Sequence, residues 1–157
     1  MQLLWAGLLA YLATVGFGII LNIPRRALNI AGLIGLTGWV VYTAIEALPT
    51  SYKQLSLMAL GMLAASIAIG WLSSFAARHK HMPVILFNIP SLVPLVPGGQ
   101  AYQMVRNLVL GQMTEAMGYL GQVVVVAGTI ALGFLLAELS ERVWRRGQRR
   151  WKLTQNH

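Results

Sequence analysis

The chain has 157 residues, of which 57% are hydrophobic and only 10% charged, far below the roughly 25% charged of ordinary globular proteins. So few charges cannot cover a soluble domain of this size, so the composition points to a surface that faces lipid. The net charge of +8 does not favour nucleic acid, because six of the twelve basic residues fall between Arg142 and Lys152 and most others form short clusters between apolar runs, as in segments flanking membrane spans.

The first apolar run, residues 3–21, carries no charge and approaches the roughly 20 residues that a helix needs to cross hydrocarbon. It lacks the basic start and the small-residue cleavage pattern of a signal peptide, so it is expected to be a retained span. Asn22-Ile-Pro-Arg-Arg-Ala-Leu28 then forms a turn, with Pro24 ending one helix and Arg25 and Arg26 marking the cytoplasmic side.

A second span is expected over 27–48, closed by Pro49 and carrying Glu46 near its outer end. Glu46 has three readings: an ion pair with Arg106, a proton carrier in transport, or a solvated interfacial carboxylate. Gly32, Gly35 and Gly38, with Ala27 and Ala31, put small residues where helices approach closely. Gly61 and Ala65 repeat the pattern on a third span, 55–77. Packing within the chain accounts for this pattern, and packing on a partner would leave the same one. His79 and His81 flank Lys80 in a following loop, and without a third ligand they read as solvated rather than metal-binding.

The fourth segment is different. Residues 84–96 would rise only about 20 Å as a helix, short of a hydrocarbon core about 30 Å thick. Pro90, Pro94 and Pro97, followed by Gly98 and Gly99, interrupt it, because each proline removes a backbone donor and leaves a carbonyl unpaired. A second helical stretch, 101–111, contains Arg106. Neither stretch crosses alone, and together they suffice. Irregular backbone at membrane depth needs protein or water to satisfy it, and broken helices of this kind build substrate sites in transporters. The candidate pathway residues are therefore Asn88, Ser91, Pro94, Pro97, Gly98, Gly99, Gln100, Tyr102 and Arg106, with the glycines supplying free amides. A proline-kinked span from about 82 to 97 with an ordinary outer loop is the competing reading. Arg106 either captures a carboxylate or snorkels at the outer interface.

The fifth span is expected at 117–137, with no ionisable side chain. Glu115, Glu138 and Glu141 read as surface carboxylates. Residues 142–157 form a basic cytoplasmic tail in which Trp144 and Trp151 interleave with arginines, as in an anchor on anionic lipid. Five crossings with the N-terminus outside put Arg25, Arg26, Arg78, Lys80 and the tail inside, leaving Lys53 and Arg106 outside. A fourth segment that turned back would export the tail, against the positive-inside rule. The expected fold is an all-α polytopic membrane domain over 1–141, with about five transmembrane helices, the fourth discontinuous. No catalytic constellation, metal site or cofactor motif emerges.

Val93-Pro-Leu-Val-Pro-Gly-Gly-Gln-Ala-Tyr102, preceded by Asn22-Ile-Pro-Arg-Arg-Ala-Leu28, resembles the threonine/serine exporter family. The likeness is greatest to its short, separately encoded subunit, a type linked to amino-acid or succinate export. The matching positions are Asn22, Pro24, Arg26, Pro94, Pro97, Gly98, Ala101 and Tyr102. The resemblance implies a secondary exporter of a small polar metabolite in the bacterial inner membrane, working with a larger membrane subunit. A homo-oligomeric transporter and a non-transporting scaffold subunit remain the alternatives.

Overall fold

The computed structural model describes residues 2–48 and 54–154, with side chains over 5–48 and 55–144. Lys53, Pro49 and the side chain of Trp151 lie outside the described residues. Six helices and a 3-10 turn make up the described chain: α1 (Gln2–Ile20), α2 (Arg25–Glu46), α3 (Gln54–Lys80), α4 (Ile85–Leu92), the turn Val93–Leu95, α5 (Gly98–Val109) and α6 (Met113–Thr154). No strand occurs among the described residues. Helices α2, α3 and α6 are long and apolar enough to cross a membrane, and α1 and the stretch Ile85–Leu95 are shorter apolar helices.

Three of the turns close in the same way. Asn22 takes a left-handed conformation at φ 55°, its amide donates to Ile19 (2.9 Å) and that of Ile23 to Gly18 (3.0 Å). This is a Schellman cap, which satisfies the last carbonyls of a helix. His81 (φ 53°) and Gly111 (φ 75°) end α3 and α5 likewise, with Met82 donating to Ala77 and Gln112 to Asn107. The two histidines therefore differ from the expected solvated loop. His79 lies in the last turn of α3, its ring stacked on Phe75, and His81 is a helix cap.

Small residues bring the helices together. Gly32 and Gly35 of α2 lie against Tyr11 and Thr14 of α1, and Gly38 against Ile69 of α3. Gly61 of α3 faces Tyr42, and Gly133 of α6 faces Ser66 and the Leu63 carbonyl. The glycines read from the sequence on α2 and α3 thus pack within the chain, while Gly70 and Gly133 extend the device to the α3–α6 seam. Thr14 and Ser66 turn their hydroxyls back onto their own helices, donating to the carbonyls of Ala10 and Met62, each at 2.8 Å. That satisfies a buried hydroxyl and leaves a low surface for the facing glycine.

These contacts also set chain direction. α1 and α2 are antiparallel, as Gly7 meets Leu36 while Gly18 meets Leu28. α2 and α3 are antiparallel, as Gly38 meets Ile69 while Gly61 meets Tyr42. α3 and α6 are parallel: Ser66 meets Gly133, Gly70 meets Ala137, and Trp71 donates to Ser140 at 2.7 Å. The C-terminal ends of α1, α3 and α6 and the start of α2 therefore share one end, which gathers Arg25, Arg26, Arg78, Lys80 and Arg142.

The basic stretch is helical as far as Thr154. α6 continues as helix for 42 residues to Thr154, roughly 63 Å of rise. No proline interrupts it, and Glu138 and Arg142 pair across one turn at 2.5 Å. Basic side chains near a helix C-terminus also suit its dipole. The change of composition at Arg142 leaves the helical backbone unbroken.

A methyl group at Gly133 would overlap the Ser66 hydroxyl and lie 3.0 Å from the Leu63 carbonyl. Gly133→Ala is expected to destabilise the bundle by about 1–3 kcal/mol, seen as a lower unfolding temperature in lipid nanodiscs. Gly128→Ala, with nothing within 4 Å, is expected to change stability by less than about 0.5 kcal/mol. At the first cap, Asn22→Gly should be tolerated, whereas Asn22→Val should cost about 1–2 kcal/mol in the same measurement, because a β-branched residue resists φ > 0.

Candidate functional site

The site is built around the segment that the prolines break. α4 begins where Pro83 ends the α3–α4 turn, and the amides of Phe87 and Asn88 donate to Val84 (both 3.0 Å). Pro90 sits inside α4 and contributes no donor, so the helix cannot continue its ladder there. The chain tightens to the 3-10 turn at Val93–Leu95, and Val96 then becomes extended. Pro97 (φ −74°, ψ 54°) makes an inverse γ-turn in which the Gly98 amide donates to the Val96 carbonyl at 2.7 Å. α5 starts at Gly98.

The break is held by burial. Phe87, Ser91 and Leu95 are wholly buried and Pro90 is fully enclosed. Pro90 lies against α1, and the Ser91 hydroxyl donates to the Ala31 carbonyl of α2 at 2.9 Å. Ala27 and Ala31 on α2, both almost completely buried, let α4 come this close.

The residues expected to form one pathway separate into two groups. Asn88 and Ser91 face inward from α4, Ser91 committed to α2 and Asn88 half-buried. Pro94, Pro97 and Gln100 are half-buried, and Gly98 and Gly99 are exposed. The Gly98 amide, expected to be free, is engaged in the γ-turn, leaving Gly99 and Gln100 as donors in the first turn of α5. Tyr102 is 66% exposed. Arg106 is exposed, its guanidinium 3.5 Å from Gln103 of its own helix. The two ion pairs among the described residues are Arg78–Glu141 and Arg142–Glu138, so the pairing of Glu46 with Arg106 considered from the sequence is not formed. Glu46 interacts instead with the Tyr42 hydroxyl one turn earlier. At the first turn, Asn22 caps α1, Pro24 precedes α2 and accepts from the Ala27 amide (2.8 Å), and Arg26 is exposed.

A cavity of about 670 Å³, unexpected from the sequence, lies between α3, the start of α4, and α6. Ser74, Asn88, Glu138, Glu141 and Arg142 supply its polar groups, and Phe134 and Ile85 its apolar wall. The side-chain amide oxygen of Asn88 is buried and has no hydrogen-bond partner among the described residues, an arrangement that costs about 1–3 kcal/mol if left unmade. Glu141 corrects the surface reading of that residue. Its carboxylate is 15% exposed and accepts from Arg78 at 2.6 Å, joining α3 to α6 beside the cavity. The pair spans 63 positions of sequence, beyond any spacing rule, although two acids near a basic run are its one sequence trace.

No solved structure matches the chain. A family model described as Threonine/Serine exporter, ThrE, matches residues 6–140, from the first turns of α1 through the α3–α6 seam and the whole broken segment. The proline break, the capped turn at Asn22 and the parallel α3 and α6 all fall within that match, and the chain belongs to the threonine/serine exporter family of membrane transporters.

Proposed function

We propose that this chain is one membrane subunit of a secondary transporter that exports threonine or serine, crossing the bilayer five times with α4, the 3-10 turn and α5 as a single discontinuous crossing. The observation that carries the reading is the parallel course of α3 and α6. A segment that dipped in and returned would deliver α6 antiparallel to α3. α4 with its turn rises about 18 Å and α5 about another 18 Å, enough together for a core about 30 Å thick. The gathering of basic residues at one end supports placing that end, and the C-terminus, on the cytoplasmic side of a bacterial inner membrane.

A second membrane chain completes the proposal. α5 packs chiefly on α6, and this hairpin exposes Tyr102, Val105, Arg106 and Val109. An arginine at depth is expensive against lipid and tolerable against protein or a water-filled path. On α6, Gly118, Gly121 and Gly128 meet nothing within 4 Å, leaving a low surface of the kind used where helices meet. A larger subunit of the same transporter fits this face, and the pathway would then run between the two chains along α5.

Two experiments test these claims. Single cysteines replacing Lys80 and Gln112, in a chain that has no native cysteine, should react with an impermeant maleimide from opposite sides of the membrane. Labelling from the same side would overturn the fourth crossing. Cells lacking the chain should retain threonine and serine and recover efflux on re-expression, with succinate efflux measured in parallel. Unchanged efflux of both amino acids would overturn the substrate assignment, and a change in succinate alone would redirect it to dicarboxylates.

A further inference from the structure

We propose that a second cleft, running along α3 and α6, holds one anionic phospholipid of the leaflet at the basic end, with an acyl chain along the helices and the phosphate at Arg78. The cleft, of about 560 Å³, is lined by α3 and α6 alone among the described residues.

Its length and level match one leaflet. From Ala68 to Arg78 it follows α3 for ten residues, about 15 Å of rise and half of a hydrocarbon core about 30 Å thick. It opens at the basic end, where Lys80 closes α3. Gly70 faces Ala137 in the parallel pair, so Trp144 lies level with Ala77, beside the mouth. Tryptophan at that level is what a membrane interface selects.

The inner surface suits hydrocarbon. Trp71 donates to the Ser140 hydroxyl at 2.7 Å, and Ser140 donates in turn to the Ala137 carbonyl at 2.8 Å, so these groups are satisfied before any ligand arrives. Leu72 and Phe75 extend the apolar wall. Helices in lipid meet at small residues, as at Gly35 and Gly133 within this chain. Here Trp71, Phe75 and Trp144 are bulky and each more than half exposed, a wall that a flexible acyl chain follows better than a helix.

The mouth selects an anion. Arg78 and Glu141 cancel within the lining, so the excess charge comes from the rim. Lys80 ends α3, and the chain carries six cations from Arg142 to Lys152 with no acid after Glu141. That field favours an anionic headgroup over a zwitterionic one. Arg78 engages Glu141 through Nη1 and its side chain is 37% exposed, which leaves guanidinium N–H groups to meet a phosphate.

The test uses the full chain with one bimane-labelled cysteine, at Leu72→Cys in the cleft wall or at Leu33→Cys, exposed on α2. Each position lies eight residues from the basic end of its helix. Both are reconstituted in phosphatidylcholine vesicles containing a minor fraction of brominated phosphatidylglycerol or, separately, brominated phosphatidylcholine. At Leu72→Cys the brominated phosphatidylglycerol should quench roughly twofold more than the brominated phosphatidylcholine, and at Leu33→Cys the two should quench alike. Arg78→Gln with Glu141→Gln, which leaves the net charge unchanged, should abolish the difference. Ala68→Phe, which fills the inner end without touching a charge, should do the same. Parental quenching of Leu33→Cys by brominated phosphatidylcholine shows that a variant is inserted and folded. Equal quenching at Leu72→Cys, the same preference at Leu33→Cys, or a preference kept by the folded variants would overturn the site. Quenching by neither lipid at Leu72→Cys alone would show that protein covers the cleft, and would overturn it too.

Discussion

The fold depends on a backbone that cannot face lipid where it is broken. Pro90, Pro94 and Pro97 remove three donors within eight residues, and each carbonyl freed in a hydrocarbon layer costs several kcal/mol unless protein or water reaches it. The chain answers by enclosing the break. Phe87, Ser91 and Leu95 lose all exposure, Pro90 lies against Gly18, and Ser91 reaches the Ala31 carbonyl. The narrow side chains of Ala27 and Ala31 are what give α4 room there. Without that groove α4 could not lie this close to α2, and the course of the chain from α3 to α6 would change with it.

A related economy governs the long helices. Hydrophobic association is weak between helices in lipid, so shape must replace it. Two seams use the same pairing: a hydroxyl residue turned onto its own helix, Thr14 or Ser66, opposite a glycine, Gly35 or Gly133. The hydroxyl is already satisfied, so the neighbour presents only a groove. This keeps α1 on α2 and α3 on α6 at distances at which dispersion contacts accumulate. The parallel register of α3 and α6 follows from that fit, and with it the need for the intervening segment to travel the length of the bundle.

The elements themselves were legible because lipid imposes length and apolarity. Spans expected at 27–48 and 55–77 are found as Arg25–Glu46 and Gln54–Lys80, and the break falls at the prolines. The glycines of α2 announced close contacts in the same way. Facing directions were harder to read. Tyr102 and Arg106 share a half-helix with the break, yet α5 turns them outward, because the γ-turn at Pro97 reorients the chain by an angle that no spacing encodes. His81 looked like a loop residue because its part in capping is carried by its backbone, not its ring. The continuation of α6 past Ala137 was hidden by a change from apolar to basic composition, which ends an apolar run without ending a helix.

Glu141 shows why the cavity was the least legible part. In sequence it is an acid beside a run of arginines, and local spacing offers it Arg145 one turn on, as it offers Glu138 Arg142, a solvated kind of contact of small value. In the fold Glu141 is mostly buried and holds Arg78 from another helix. Removing one partner would strand a partly buried charge, so the pair resists separation in proportion to its burial. Its position gives that resistance a consequence for the cavity. The pair ties the ends of α3 and α6 beside the cavity, while the third wall, the start of α4, hangs from the two turns on either side of a helix of eight residues. α4, which carries Asn88, is fixed on its other face, with Phe87 and Pro90 enclosed and Ser91 donating to the Ala31 carbonyl of α2. The walls of the cavity are thus set by two contacts between helices far apart in sequence, Arg78 with Glu141 and Ser91 with Ala31, and no local pattern of residues foretells either.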